Sequence, residues 1–243
     1  MKQLVEERVS PRSSPYPALA FSTPAQARPA IRPQPGDEPQ GNRLHFATHA
    51  FVFHEDDPAN RIYQLIDGAA MLYKLLPDGR RQVVELIGPG DVFGLSSLPV
   101  HDCAAETLTE TNIVAYDRSA AEKSAGFMRR LNARMHAQIC ALHNHAVLLG
   151  RKSAIERVAS FIMRCVPGRG LGEFCTGRQG KDDSADIRLG MTRQEMADFL
   201  GLTIETVSRS LSALRRRGAV KIDKQDRLHV NDICRICKLT GAH

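Results

Sequence analysis

No stretch of this 243-residue chain stays apolar for the roughly 20 residues that a bilayer-crossing helix needs. The opening Met1-Lys-Gln-Leu-Val-Glu-Glu-Arg8 lacks the apolar run of a secretory signal, so the expectation is a soluble, cytoplasmic protein with no membrane partner. Cysteine is sparse: Cys103, Cys140, Cys165, Cys175, Cys234 and Cys237 are scattered through a chain of ordinary size. That spacing excludes the dense disulfide framework of a small secreted domain and fits reduced thiols. The signatures of common enzymes are also missing, with no P-loop, paired-carboxylate site or nucleophile elbow, so the chain is not expected to be an enzyme.

Proline is concentrated. Pro11, Pro15, Pro17, Pro24, Pro29, Pro33, Pro35 and Pro39 are eight of thirteen in the chain, set among Ser, Ala, Gln and Arg with little aliphatic periodicity. Residues 1–42 therefore read as a disordered tail. The remainder, in a chain that is 42% hydrophobic, can bury one or two modest cores. A net charge of +6 and a pI near 9.1 fit a polyanionic partner without requiring one.

From Leu44 to Asp117 the texture is of short β-type runs: Ile62–Ile66, Met71–Leu75, Gln82–Ile87, Asp91–Phe93 and Asn112–Tyr116. Asp67-Gly68, Asp78-Gly79 and Gly88-Pro-Gly90 break them with the residues that tight turns require. Many short strands at this spacing imply an antiparallel sandwich or barrel. Helical signals follow. Ser119-Ala-Ala-Glu122 has the spacing of a capping box, and no Gly or Pro interrupts Phe127 to Leu149, enough for a helix of ~35 Å at ~1.5 Å per residue. Met128, Met135, Leu142 and Leu149 recur every seven residues with Leu131 beside them, while Gln138 and His145 fill the next places of that second row. The preferred reading is a parallel two-helix dimer contact; a helix packed on its own β domain is the alternative. Ser153-Ala-Ile-Glu156 opens another helix, with Ile155, Val158, Ala159, Ile162 and Val166 at core spacing and Pro167-Gly168 as its stop. A polar connecting loop then runs to Ala185, with a short strand at Ile187–Leu189.

The chemistry concentrates further on. Thr192-Arg-Gln-Glu195 is a third capping box, and the helix it opens ends before Gly201. Thr203 caps the next helix, on which Ile204, Val207, Leu211 and Leu214 share a core face and leave Glu205, Ser208, Arg209 and Ser212 outward. Two helices joined by a short Gly-containing turn make a helix-turn-helix. Arg209 can donate two hydrogen bonds to guanine O6 and N7, Glu205 can accept from an exocyclic amine, and Ser208 can do either. A solvated amphipathic face would carry charges too, but it would not gather them in the first turns of the helix ahead of Arg215-Arg216-Arg217. Thr192, Thr203, Thr206, Ser212, Arg216 and Lys221 are expected as secondary DNA contacts. Ala219–Asp223 and Arg227–Val230 flank Lys224-Gln-Asp226 as a β-hairpin wing whose Lys221, Lys224 or Arg227 would lie near phosphates.

From Ile62 to the wing these residues resemble the CRP/FNR family of bacterial regulators. The resemblance rests on Met191-Thr-Arg-Gln-Glu-Met-Ala-Asp-Phe-Leu-Gly-Leu-Thr-Ile-Glu-Thr-Val-Ser-Arg209, with Tyr63–Gly68 and Gly90-Asp-Val-Phe-Gly94 in support. It implies an α+β fold: a cyclic-nucleotide-binding-type β-roll at 43–125, a dimerisation helix at 126–152 and a winged helix-turn-helix at 153–243. Met128, Leu131, Met135, Leu142 and Leu149 would form the homodimer seam. Glu205-x-x-Ser208-Arg209 looks like the reading sequence of the FNR/FixK branch, which implies a palindromic TTGAT…ATCAA site and a role, as activator, in microaerobic, nitrogen-fixation or denitrification cascades. The Asp78-Gly79-Arg80 hairpin is the candidate contact with RNA polymerase.

Three departures narrow the input. Leu95 and His101 stand where cyclic-AMP members carry a ribose-binding glutamate and a phosphate-binding arginine, so cyclic AMP is not expected. No cysteine precedes Cys103, and Ala115 stands near the place of the later cluster ligand, so an iron–sulfur cluster is not expected either. His101-Asp-Cys103 leaves haem or nitric-oxide sensing as the alternative input; otherwise no cofactor or metal is expected. Cys234-Arg-Ile-Cys237 is a candidate redox pair, with packing in a C-terminal helix the favoured reading. Cys140, His143 and His145 do not share one helix face well and read as solvated or packed.

Overall fold

The computed structural model describes residues 39–166, 183–224 and 227–241. The proline-rich tail up to residue 38, the Pro167-Gly168 stop, most of the polar loop after it, Cys175 and the Gln225-Asp226 turn lie outside those residues. Strand β1 (Gly41–Phe46) starts two residues ahead of the expected boundary at 43. It is followed by β2 (Phe51–Phe53), β3 (Arg61–Asp67), β4 (Ala70–Leu75), β5 (Arg81–Ile87), β6 (Val92–Phe93), β7 (Ala104–Thr107) and β8 (Thr111–Asp117). They form two antiparallel four-stranded sheets, ordered β1-β8-β3-β6 and β2-β7-β4-β5. Phe53, Tyr63, Leu65, Leu72, Ile87, Phe93 and Ile113 fill the space between them. The β3–β4 turn needs Gly68: its φ is 94°, and a Cβ there would strike the Glu110 carbonyl and Thr111.

Helix α1 (Arg118–Lys123) corrects one expectation. Asp117, not Ser119, is its N-cap, accepting from the Ala120 N–H at 2.9 Å, and Glu122 accepts from Arg118 Nε at 2.8 Å one turn away. The aspartate wins because it ends β8 in extended backbone, as an N-cap must.

Helix α2 (Ala125–Arg151) is longer than predicted: Ser124 Oγ caps it at the Phe127 N–H, and it runs through Gly126 and Gly150. Phe127, Leu131, Arg134, Gln138, Ala141, His145 and Leu148 form the row that turns toward the chain's own core. Leu131 therefore belongs to an intramolecular cluster with Ile62, Val92, Tyr116 and Phe127, and not to a seam open to a partner. Leu149 likewise packs against the chain's own core. The polar places in that row have partners here: Gln138 Nε2 donates to Glu85 Oε1 and to the Val92 carbonyl, each at 2.9 Å. Met135, Ile139 and Leu142 stay open, at 38%, 44% and 39% exposure, as does Val147 on another side at 55%.

Helix α3 (Ala154–Arg164) begins at its capping box, where Glu156 Oε2 accepts from the Ser153 N–H and hydroxyl at 2.7 Å each. The C-terminal region continues with β9 (Ala185–Arg188), α4 (Arg193–Leu200), α5 (Ile204–Arg216), β10 (Val220–Lys224), β11 (Arg227–Val230) and α6 (Ile233–Lys238). β9 joins the hairpin, so the wing is a three-stranded sheet ordered β10-β11-β9. One apolar core runs from the β-roll's Met71, Tyr73 and Val83 through Leu148 and Phe161 to Phe199, Leu211 and Leu214. The β-roll and the C-terminal region are thus packed together, not strung on a linker. Among the described residues no helix is long and apolar enough to cross a membrane.

Candidate nucleic-acid interface

The reading unit is built by local rules. Thr192 Oγ1 accepts from the Glu195 N–H at 3.2 Å, and Glu195 Oε2 accepts from the Thr192 N–H at 2.6 Å, so α4 starts at a closed capping box. Gly201 ends it in left-handed backbone, φ 60° and ψ 43°, and the Leu202 N–H closes on the Ala197 carbonyl at 3.0 Å. Thr203 Oγ1 then caps α5 at the Thr206 N–H, 3.3 Å away. Val207, Ser210, Leu211 and Leu214 are buried along α5. Ile204 was expected among them but is 38% exposed, because it stands in the first turn at the edge of the buried stripe.

Glu205, Ser208 and Arg209 are exposed, and all three stand in the first two turns of α5. Glu205 is held below the usual carboxylate range by its own backbone N–H, then by the Thr203 hydroxyl, with Arg209 adding a smaller attraction. It is an anionic acceptor at neutral pH. Arg209 leans on Thr206 Oγ1 at 3.4 Å, so two places noted separately in the sequence touch. Arg215, Arg216 and Arg217 follow on the exposed end of the helix, Lys221 is exposed on β10, and Ser212 is half-buried. Such a face can accept and donate at base edges with cations flanking it for phosphates.

Arg157 of α3 was missed. Its guanidinium donates to the carbonyls of Leu149 (2.7 Å), Lys152 (2.9 Å), Leu200 (2.9 Å) and Gly201 (3.3 Å). One cation therefore joins the last turn of α2 to the turn of the helix-turn-helix, where orphan carbonyls gather. A single arginine on an amphipathic helix carries no sequence signal for that task.

A second junction was also missed. His145 stacks on Phe199 with ring centroids 4.3 Å apart and planes at 19°, and both its ring nitrogens are shut off from water. Burial, reinforced by the Arg164 and Arg157 guanidiniums, pushes its pKa down to about 4. The unfolded imidazole takes a proton near pH 6.5, whereas the folded one resists until about pH 4. Its contribution to stability is thus full above pH 6.5 and falls between 6.5 and 4. Urea melts across that range are expected to lose stability more steeply for the native chain than for His145→Phe; equal slopes would refute the assignment.

The other predicted residues are dispersed. Asp78 and Arg80 sit exposed at the β4–β5 tip, paired to each other at 2.7 Å with Gly79 between them. Cys234 is half-buried and Cys237 buried on α6, whose N-cap is Asp232, and the Cys234 N–H donates to Asp183 Oδ2 at 3.0 Å. Leu95 packs against the cluster around Phe127, and Ala115 lies inside the sandwich. His101 is buried with its ring 3.7 Å from that of Phe53, and burial pushes the Cys103 thiol up to about 12.

Comparison with known proteins agrees with this construction. Residues 43–124 match the cyclic nucleotide-binding domain and residues 156–239 the Crp-like helix-turn-helix domain. The chain belongs to the CRP/FNR family of DNA-binding transcription regulators. Within that family it is 37% identical to the nitrogen fixation regulation protein FixK of Bradyrhizobium diazoefficiens over 186 residues, 75% of each chain. It is 31% identical to FixK of Azorhizobium caulinodans over 235 residues, 90% of this chain and 92% of that one. The solved structure of FixK2 from Bradyrhizobium japonicum superposes with a TM-score of 0.70 at 35% identity, covering 84% of this chain and 99% of the other. These CRP/FNR relatives are regulators and not enzymes, in keeping with the class expected from the sequence.

Proposed function

We propose that this regulator works as a homodimer, reading a two-fold TTGAT…ATCAA-type palindrome and activating genes in a nitrogen-fixation or microaerobic cascade. The observation that carries this reading is the exposed Glu205-x-x-Ser208-Arg209 face on the first turns of α5. A two-fold dimer presenting two such faces requires a palindromic operator. The similarity to FixK proteins supports the pathway, and the exposed Asp78-Gly79-Arg80 tip is the proposed contact with RNA polymerase.

No cyclic nucleotide, iron–sulfur cluster or haem belongs to this reading. The residues do not suit a cyclic phosphate: Leu95 faces an apolar cluster, and His101 is buried with its pKa lowered by desolvation. Arg118 reaches this region, but its guanidinium is engaged by the carbonyls of Ala59 and Ser96 and by Glu122. The described cysteines sit on separate elements, apart from the pair on α6.

Binding-site selection with the native chain and with Arg209→Ala tests the proposal. The native chain is expected to recover the palindrome without added effector. Arg209→Ala should weaken specific binding by about 1–3 kcal/mol and relax the choice at one base pair of each half-site. An unchanged base preference would remove Arg209 from the reading role, and recovery of an unrelated site would overturn the FixK-type assignment.

A further inference from the structure

We propose that His49, Glu106 and Glu195 form a binding site for a divalent first-row metal ion, best suited to zinc, that ties the β-roll to the first helix of the reader. The three residues come from distant places. His49 lies in the turn between β1 and β2 with φ 59°, its N–H held by the Thr107 carbonyl at 2.9 Å; Glu106 is on β7; Glu195 is in the first turn of α4.

Their donor atoms converge. His49 Nδ1 is 3.3 Å from Glu106 Oε1 and 3.5 Å from Glu195 Oε1, and the three atoms all lie within 4.8 Å of one another. An ion about 2.0–2.2 Å from each ligand sets neighbouring donors roughly 3.0–3.6 Å apart, a spacing that both His49 pairs already have. The second oxygen of each carboxylate is already occupied. Arg81 Nη1 holds Glu106 Oε2 at 3.3 Å, and the Thr192 N–H holds Glu195 Oε2 at 2.6 Å. Outer partners of this kind orient metal ligands.

Charge gives an independent reason. Glu106 and Glu195 are buried, and beside them the side chain of Asp198 is only 9% exposed. Among the described residues the cationic partners within ion-pair distance are Arg81, which spans Glu106 and Asp198, and His49. Three carboxylates thus gather around one guanidinium and one imidazole, with Gln194 Nε2 also donating to Asp198 Oδ1 at 2.7 Å. Buried carboxylates are costly where cations do not match them, and a divalent ion between Glu106 and Glu195 would supply charge of the opposite sign. One imidazole nitrogen and two carboxylate oxygens form a donor set for zinc more than for magnesium or calcium, which take oxygen alone. The half-exposed His49 leaves access for water at a remaining position.

The test uses the untagged full chain, stripped with chelator and titrated with Zn²⁺ against a chromophoric competitor, without DNA. One equivalent per chain is expected, retained when Cys234 and Cys237 are both replaced by serine. It should weaken at least about tenfold in His49→Asn, which tolerates the left-handed backbone, and in Glu106→Gln, which keeps an acceptor for Arg81. Circular dichroism identifies any variant that misfolds, and two ligands probed separately keep the result decisive. X-ray absorption at the zinc edge should show nitrogen and oxygen without sulfur, and Zn²⁺ should raise the melting temperature of the native chain but not of His49→Asn. Absence of binding, zinc–sulfur scattering, or undiminished binding in both variants would overturn the site. Arg209→Ala is expected to bind Zn²⁺ normally, so failure of the base-reading proposal is separable from failure of this one.

Discussion

Phe199→Ala is expected to lower the unfolding free energy by about 3–5 kcal/mol and to split one cooperative transition into two. The side chain is buried where three parts of the chain meet. His145 of α2 stacks on it, Phe161 of α3 meets it with centroids 5.9 Å apart, and the Arg164 guanidinium lies 5.8 Å from its centroid. Its carbonyl accepts from Gln82 Nε2 of the β-roll at 3.4 Å, next to the Arg81–Asp198 pair at 2.8 Å. Removing the ring leaves a cavity at this junction and strips the stacking partner from a buried histidine. The β-roll keeps its own inter-sheet core, so the C-terminal region should melt first. Urea denaturation followed separately by far-ultraviolet dichroism and by tyrosine fluorescence, whose four reporters all precede residue 117, checks this. Coincident transitions shifted by under about 1 kcal/mol would show that Phe199 is not the keystone.

The helix-turn-helix was legible because each boundary is written in neighbouring residues. Thr192 and Glu195 close one end of α4, Gly201 the other, and Thr203 opens α5, all through hydrogen bonds across three to five residues. Glu205, Ser208 and Arg209 lie outward as the spacing implies, whereas Ser212 is half-buried and Ile204, at the helix end, is exposed. The β-roll was half legible. Strands with aliphatic alternation stood out, whereas β7 is Ala-Ala-Glu-Thr, in which only the threonine favours a strand and the rest owes its state to pairing with β2 and β4.

The long helix shows where local pattern stops. A seven-residue repeat says that a face is buried but not by what, and Gln138 and His145 looked like defects in it. Their partners, Glu85, Val92 and Phe199, come from β5, β6 and α4, so nothing within the helix points to them. The same limit hid Arg157, whose acceptors are backbone carbonyls at two helix ends, and the His49–Glu106–Glu195 convergence, which joins three elements. Capping-box spacing also misled once, at Ser119, where the neighbouring Asp117 had the required extended backbone.

The row that packs inward fixes which side of α2 can meet a second chain, and replacing Ile139 and Leu142 together by glutamate is expected to produce a monomer. At about 100° per residue, Met128, Met135, Ile139, Leu142 and Ala146 fall within an arc of roughly 60° beside the inward row. Met135, Ile139 and Leu142 are the exposed large residues of that arc, and a two-fold axis along it would set each stripe against its copy. Glutamates there would face their own symmetry mates in an apolar seam, where charges lack compensation. Because both side chains are open in the single chain, its fold should survive the change. Loss of the proposed dimer would uncouple the two half-sites of the proposed palindrome, so operator affinity should fall by about 10²–10⁴-fold. Val147→Glu, at 55% exposure and about 80° and 100° around the helix from Ile139 and Ala146, should leave both mass and affinity unchanged. Sedimentation equilibrium with a DNA titration reads both quantities, and a double variant that stays dimeric would move the seam off this stripe.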